Sequence, residues 1–505
     1  MTAMGMAPAP DADVIVIGAG PAGMSAAIAV AKAGRSVIVL DLQPSPGGQV
    51  FRGLKANLAA LPGTDGLLAA LGPTYLEGAA LIGAFRSVDG IDYRPETSVW
   101  DLRADGTVGW QRGKAAGYLR AGHVVLANGA AERAVPFPGW TLPGVMTAGA
   151  VQTLIKAGRL KPEGRIVLAG TGPLILLLAE QLRRLGVKPV LIARTDRLAD
   201  SLRAFRHVRP AGVSALLKGL GWLLRLRLAR VPMLSGICDL RAEGLGHVET
   251  VGFTIGARRV VVPCDLLVVH DGIVPAIDLA HGAGLALTWD AAGANWCPRT
   301  GPDGAAELAA GQRGADGACR IRISGDARGI GGADVAMAHG RLAGLAVVAA
   351  LEGAGSADFA AAKWAVQHAM IPRAFIDAAF PVGIAASLPG DATIICRCEE
   401  ITAGTLRAHI RAGLRDINQI RGLTRCGMGA CQGRSCTVTL ARLIAEDGGR
   451  VPQDPLPFRA RPPLRPLSLG ALANLTGCDP ALAEALALDD KPQAVAEDEP
   501  HAAAR

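Results

Sequence analysis

A chain of 505 residues with 65 glycines, 10 cysteines and a formal charge of +8 has room for roughly three domains. Its glycine share is near twice the ordinary value of about 7%, which predicts many tight turns and close approaches of backbone to ligand. The charge is modest for this length and the arginines are spread without aromatic interleaving, so nucleic-acid binding is excluded as a main reading.

The N-terminus, MTAMGMAPAPDADVIVIGAG, has no basic region, and its first apolar run is a short strand ending in glycines; no secretory signal is read there. Cys238, Cys264, Cys297, Cys319 and Cys478 are scattered singly, as small buried residues are, with no disulfide framework. The expectation is a cytoplasmic protein in a reducing compartment, where clustered cysteines bind metal or do redox chemistry.

DVIVIGAGPAGMSAAIAVAKAGRSVIVLD reads as a strand (Val14 to Ile17), a glycine turn, an alanine-rich helix and a second strand ending at Asp41. This is a complete βαβ dinucleotide fingerprint. Gly18 makes the tight turn, Gly20 lets backbone approach a pyrophosphate, and Gly23 lets helix and sheet pack closely. Pro21 and Ala22 open the helix whose N-terminus faces the phosphates, and Asp41 is spaced to reach ribose hydroxyls.

A second fingerprint spans 164 to 197, again strand, glycine turn, helix and strand. Gly170 and Gly172 are present, but Ile175 takes the third glycine position, and the second strand ends in Ala193 and Arg194 without a carboxylate. Two readings stay open: a nucleotide with an extra phosphate or an adenine nucleotide held structurally, and a domain that keeps the fold and has lost NAD(H). Hydride exchange with NAD(P)H is not expected. The stretch SALLKGLGWLLRLRLARVP (214 to 232) is basic and amphipathic. Gly219 and Gly221 interrupt it and it is too charged to span a bilayer, so an ordinary packing helix is expected in preference to a membrane-surface or partner-docking one.

The segments GHVVLANGA (122 to 130) and CRIRISGDARGIGGADVAMAHGRLAG (319 to 344) resemble the later FAD contacts of two-dinucleotide-domain flavoproteins, the glutathione-reductase-like α/β class. The resemblance implies FAD contacts from Gly325 and Asp326, from PGGQ (Pro46 to Gln49, with Gly48 and Gln49), and from Ala127 and Gly129. Where the family usually reads Ala-Thr-Gly, this chain has Ala127-Asn128-Gly129. The disulfide reductases of this class need a cysteine pair beside the flavin. Neither the stretch after Gln49 nor the second nucleotide domain supplies one.

The remaining five cysteines lie in CRCEEITAGTLRAHIRAGLRDINQIRGLTRCGMGACQGRSC (396 to 436), which predicts helices from about Thr402 to Ala412 and Asp416 to Leu423. Zinc and a [2Fe-2S] cluster both take four thiolates, and the one-residue gap of the C-x-C is unusual for zinc. The order resembles the bacterioferritin-associated-ferredoxin-like [2Fe-2S] domain, in which a little over thirty residues separate the C-x-C from the second pair. Cys398 to Cys431 leaves 32 residues, and Cys398 to Cys426 leaves 27. Related flavoprotein subunits, anaerobic glycerol-3-phosphate dehydrogenase among them, share the GMG-CQG--C pattern and can lack a cysteine where Cys426 stands. The resemblance therefore implies Cys396, Cys398, Cys431 and Cys436 as cluster ligands, with Cys426 a close bystander, the fifth thiol at a four-thiol site.

With ERAVPFPGWTLPGVMTAGAVQTLIKAG (132 to 158), VHDGIVPAIDLA (269 to 280) and RPPLRPLSLGALA (461 to 473), the chain from about 12 to 475 resembles the alpha subunits of heteromeric FAD-dependent amine dehydrogenases. That group includes opine oxidases, D-hydroxyproline dehydrogenase, hydrogen cyanide synthase, and sarcosine and proline dehydrogenases. The resemblance implies a beta subunit of the D-amino-acid-oxidase type that oxidises the C–N bond at its own flavin and passes the electrons on. It leaves room for a small third subunit, for FMN at a subunit interface and for a second adenine nucleotide. No catalytic residue is assigned: no His, Tyr or Arg constellation for an amino-acid carboxylate is apparent.

The expected architecture is an α/β two-dinucleotide-binding-domain flavoprotein with a small C-terminal helical [2Fe-2S] domain, and not an integral membrane protein. The FAD domain is split, 12 to 155 and 265 to 352, around a nucleotide-fold domain at 156 to 264. A linker (353 to 390), the cluster domain (391 to 450), a proline- and arginine-rich arm draped over the flavoprotein or partner (451 to 486) and a disordered tail (487 to 505) follow. The competing readings are a self-sufficient NAD(P)H-dependent flavin reductase and a non-catalytic scaffold.

Overall fold

The computed structural model describes residues 10–312, 314, 318–353, 357–447 and 456–476. Its first sheet grows from the strand Ala12–Ile17, whose β-branched run is buried on both faces, as a central parallel strand requires. Val37–Leu40 pairs parallel on one side and the end of the long strand Ala115–Leu126 on the other. Ile91–Arg94 and Ile321–Ile323 extend the two flanks, also in parallel. The front half of Ala115–Leu126 runs antiparallel to Thr107–Arg112, and that strand to Ser98–Leu102, so one long strand joins a parallel sheet to a meander.

The helix Pro21–Lys32 follows the first glycine turn and packs against Ala333–Glu352, where a Cβ on Gly340 would collide with Ala22 O. By length and composition Ala333–Glu352 could cross a bilayer, but its apolar window is mostly buried inside the protein, as in a core helix.

The second sheet repeats the plan. Its five strands, Met233–Ser235, Leu191–Arg194, Ile166–Thr171, Leu266–Asp271 and Val145–Thr147, are parallel in that order. Beside them lies the antiparallel set Cys238–Glu243, Thr250–Ile255 and Arg258–Pro263. The boundaries of the second unit therefore lie outside the expected 156 and 264, since Val145–Thr147 and Leu266–Asp271, on the FAD-domain side of those limits, pair into its sheet. Their sheet partners lie far away in sequence, so no local pattern assigns them.

The helix Ala357–Ala379 leads to the cysteine unit. That unit has a small hairpin, Ile394–Cys396 with Ile401–Thr402, and the helices Ala403–Arg411, Ile417–Thr424 and Thr437–Asp447. The first two match the expected pair; the third follows the last cysteine. Thr402 Oγ1 accepts Thr405 N at 3.3 Å, and Asp416 Oδ1 accepts Asn418 N and Gln419 N at 2.8 and 2.9 Å, so both expected helices start on a side-chain cap. Ile395, Leu406, Ile410, Ile420 and Leu440 fill the core between them.

Residues 456–476 run back over the first meander. Leu464 N donates to Trp100 O at 2.8 Å, and Leu475–Thr476 pairs with Ala116 and Gly117. The expected tail (487–505) lies outside the described residues, as do Cys478 and the rest of the arm's last ten positions. The basic stretch forms the helix Val213–Leu228, which packs on the core through Leu226, Trp222 and Leu223 as expected but leaves Val213, Leu217, Leu220, Leu224 and Leu228 exposed.

Candidate functional site

The first glycine turn opens into a cavity of about 1840 Å³. Gly18 has φ +101° and a Cβ there would sit 2.5 Å from Ala127 O; a Cβ on Gly23 would strike Gly18 O. Both are packing requirements. Gly20 differs, since its hypothetical Cβ meets nothing closer than Gly48 Cα at 3.7 Å, while a Cβ on Gly48 (φ +59°) would lie 2.8 Å from Gly20 Cα. Two glycine turns thus pack directly on each other, which only residues without a Cβ allow, beside a helix N-terminus with no side-chain cap. Uncapped amides of this kind bind anions.

Of the expected cofactor residues, Gly18, Gly20, Pro21, Ala22, Asp41, Gly48, Gln49, Ala127, Gly129 and Asp326 line this cavity. Gly23 and Gly325 stand behind it, the latter with φ +67° and no room for a Cβ beside Ala22. Five buried polar atoms of cavity-lining residues lack a hydrogen-bond partner among the described residues: Asp41 Oδ2, Arg52 Nε, Asn128 Oδ1, Trp296 Nε1 and Ser324 Oγ. Burial pushes the Asp41 carboxyl up to about 6, against backbone hydrogen bonds from Gln43 and Ala19. Asp326 Oδ1 accepts Gly331 N and Gly332 N at 2.9 and 3.0 Å, so its first task is to hold the glycine turn before Ala333–Glu352.

Sequence reasoning missed two wall residues. Lys156 is buried, and its Nζ donates to Gln49 O, Val50 O and Gln152 Oε1 at 3.2, 3.1 and 3.3 Å; burial, with Arg52 nearby, brings it down to about 8. A lysine four residues after Gln152 on an apolar helix was the available signal. Glu132 accepts Gly149 N at 2.6 Å through Oε2 and meets His270 Nδ1 at 2.5 Å through Oε1. That pairing joins segments 138 residues apart, which no local pattern reveals.

The second glycine turn is built differently. Gly170 (φ +125°) packs on the His270 backbone, and a Cβ on Gly172 (φ +103°) would lie 3.2 Å from the His270 ring, where a pyrophosphate would need space. Arg194 is paired with Asp196, and its guanidinium sits 5.9 Å from the Phe380 ring centre. Asp271 Oδ1 accepts Gly383 N and Ile384 N at 2.9 and 3.0 Å, and Oδ2 accepts Ala385 N at 2.8 Å. Gly383 is pressed against Thr195. The segment 380–385 therefore crosses the C-terminal ends of Leu191–Arg194, Ile166–Thr171 and Leu266–Asp271, the edge where such folds bind nucleotides. Gly170, Gly172 and Arg194, expected as a second nucleotide site, meet the protein's own chain there.

The cysteine loop forms another wall of the large cavity through Arg425, Met428, Gln432, Gly433, Arg434 and Thr437. Cys396, Cys426 and Cys436 are buried with their sulfurs within 4.8 Å of one another, and the thiols of Cys398 and Cys431 interact directly. Gly427 N donates to Cys396 Sγ at 3.4 Å. Gly427 (φ +84°) and Gly433 (φ +83°) leave room for the Phe458 ring, 2.5 Å from each hypothetical Cβ, so the arm seals the loop. Cys426, expected as a close bystander, has its thiol within 4.8 Å of those of Cys396 and Cys436, because the turn after Thr424 folds it back toward the hairpin.

Residues 12–294, more than half of the chain, match the pyridine nucleotide-disulphide oxidoreductase family. The chain belongs to that family. Among the described residues no cysteine lines the cavity of this family member, so the disulfide pair of the reductases has no counterpart at its glycine turn. Residues 391–475 match the sarcosine oxidase A3 domain. An opine oxidase subunit of Agrobacterium tumefaciens (strain Ach5) is 37% identical over 481 residues, covering 92% of each chain. Hydrogen cyanide synthase subunit HcnB of Pseudomonas protegens is 29% identical, covering 89% of this chain and 97% of that protein. L-proline dehydrogenase from P. horikoshii superposes with a TM-score of 0.65 at 20% identity, over 91% of this chain and 79% of that one. This likeness shows a common fold.

Proposed function

We propose that this chain is the FAD- and [2Fe-2S]-containing electron-transfer subunit of a heteromeric dehydrogenase that oxidises the C–N bond of an opine, an imino acid or a secondary amine. Its partner is a flavoprotein subunit of the D-amino-acid-oxidase type. The carrying observation is that the glycine cradle and the cysteine loop are two walls of one cavity. The full-length similarity to the Agrobacterium opine oxidase polypeptide supports the substrate class.

The residues present fit both groups. Gly20 and Gly48 keep the cavity wall at the helix start free of side chains, so a pyrophosphate can approach the uncapped amides opening Pro21–Lys32, and the unpartnered Asp41 Oδ2 suits a ribose hydroxyl. Five thiols converge on the loop, Cys396, Cys426 and Cys436 in one group and Cys398 with Cys431 beside it. A cluster takes four, and the ligand set we assign, following the cysteine order of the ferredoxin-like domain the segment resembles, is Cys396, Cys398, Cys431 and Cys436, with Cys426 as the fifth thiol alongside and Gly427 N as a donor to sulfur. When bound, the flavin takes an electron pair and the cluster passes electrons singly. This chain's residues hold the two sites together: Lys156 pins the carbonyls of Gln49 and Val50, and Phe458 excludes water from the thiol loop. The filled second nucleotide edge disfavours the self-sufficient NAD(P)H reductase.

The test is to purify the chain with and without a flavoprotein subunit of the D-amino-acid-oxidase type from the same organism. One FAD, two iron and two acid-labile sulfides per chain, with substrate-dependent dye reduction in the complex alone, are expected. Stoichiometric zinc without sulfide removes the cluster, and dye reduction by this chain alone at the rate of the complex removes the partner.

A further inference from the structure

Two consecutive helices present apolar stripes to solvent. On Val213–Leu228 the stripe is Val213, Leu217, Leu220, Leu224 and Leu228, at helical spacing and between 39 and 74% exposed; on Leu198–Ala204 and the turn after it, Leu198, Leu202 and Phe205 are 52 to 74% exposed. A surface helix ordinarily turns such a stripe inward. Here the opposite side, with Leu226 at its centre, makes the packing contact.

A local excess of positive charge lies in the same place, while over the rest of the chain 44 basic and 43 acidic residues nearly cancel. Residues 197–230 hold eight basic side chains, Arg197, Arg203, Arg206, Arg209, Lys218, Arg225, Arg227 and Arg230, against one acid, Asp200: a formal +7 of the +8 carried by the whole chain. All eight are exposed. Two meet carboxylates, Arg203 with Asp200 at 3.0 Å and Arg225 with Glu180 at 4.0 Å.

We infer that this face binds peripherally to an anionic lipid bilayer. Protein interfaces are rich in aromatic residues as well as arginine, whereas these stripes are aliphatic apart from Phe205 and lie among eight cations and one acid. Here arginines stand between leucines, the composition of helices that lie in the headgroup region with apolar side chains dipped into the acyl boundary. Basic clusters beside such a stripe are drawn to acidic headgroups. Leu217, Lys218 and Arg225 also line the large cavity, so docking sets the rim of that cavity at the membrane surface.

The test is co-sedimentation of the full chain, alone and with its partner subunit, with phosphatidylcholine vesicles and with vesicles containing about 30 mol% phosphatidylglycerol. Binding to the acidic vesicles alone, weakened by salt, is expected. L220E/L224E and R227E/R230E, which touch neither the cavity nor the thiols, should each weaken binding about tenfold or more, with cofactor content unchanged as the folding control. Absence of binding to acidic vesicles, or binding indifferent to both double substitutions, overturns the inference. So does loss of the partner subunit from L220E/L224E with vesicle binding intact, which makes the face a protein interface.

Discussion

Asp41 and Gln43 share one hydrogen bond, Gln43 N to Asp41 Oδ1 at 3.3 Å, and the second carboxylate oxygen, buried on the cavity wall, has no partner of good geometry. Burial raises this carboxyl to about 6. A ribose hydroxyl donating to Oδ2 favours the ionised form, so FAD and a proton compete for Asp41. FAD affinity of the flavin-stripped chain should therefore rise between about pH 5 and pH 7 and level off above. For the stripped chain the sign is opposite: a raised carboxyl destabilises the fold as pH climbs from the unfolded value of 3.8 to about 6. Fluorescence titration of wild type and Asp41→Asn checks the first statement, and a flat profile in wild type refutes it.

Gly48 and Gly34 both have positive φ, +59° and +73°, but a Cβ on Gly48 meets Gly20 at 2.8 Å while one on Gly34 meets nothing within 4 Å. Gly34→Ala should cost about 1 kcal/mol of backbone strain and keep its flavin. Gly48→Ala should lose most of it. The ratio of flavin to protein absorbance after gel filtration separates the two, and equal retention contradicts the cradle.

Lys156→Met removes three hydrogen bonds, from Gln49 O, Val50 O and Gln152 Oε1. Each buried acceptor left unpaired costs about 1–3 kcal/mol, offset in part because the ammonium is itself held uncomfortably, down at about 8. A lower thermal midpoint and faster FAD dissociation are expected, read by thermal unfolding followed through flavin release.

Excess NADH or NADPH should leave the flavin absorbance unchanged over minutes. Asp271→Ala, which deletes the acceptor for Gly383, Ile384 and Ala385, should lower stability by about 1.5–3 kcal/mol. It should still not admit the nicotinamide, because His270 continues to face Gly172. Rapid bleaching of the wild type would mean that the 380–385 segment moves aside.

The first cofactor turn was legible because every requirement there is local: a strand, three glycines, a helix start and Asp41 lie within thirty residues. The second turn showed equally clearly as a fold element, but whether it is open depends on Asp271 and Gly383, brought together from 112 residues apart. Spacing set Cys426 apart only as a non-ligand close to the site; how close depends on the turn after Thr424, which brings its thiol within 4.8 Å of Cys396 and Cys436. In Val213–Leu228 the amphipathic period was visible while the choice of outward face was not, since that choice is made by the helices packed on its other side.

The path of the last described residues has a mechanical consequence. Trp140 Nε1 donates to Ile394 O at 2.7 Å, Arg442 grips the carbonyls of Ala385 and Ala386, Arg434 is paired with Asp278, and Leu475–Thr476 is stitched to the strand that begins at Ala115. The thiol unit is bolted to both nucleotide units and strapped from behind. Whatever group it holds cannot shuttle on a swinging arm, so a redox partner has to travel to it.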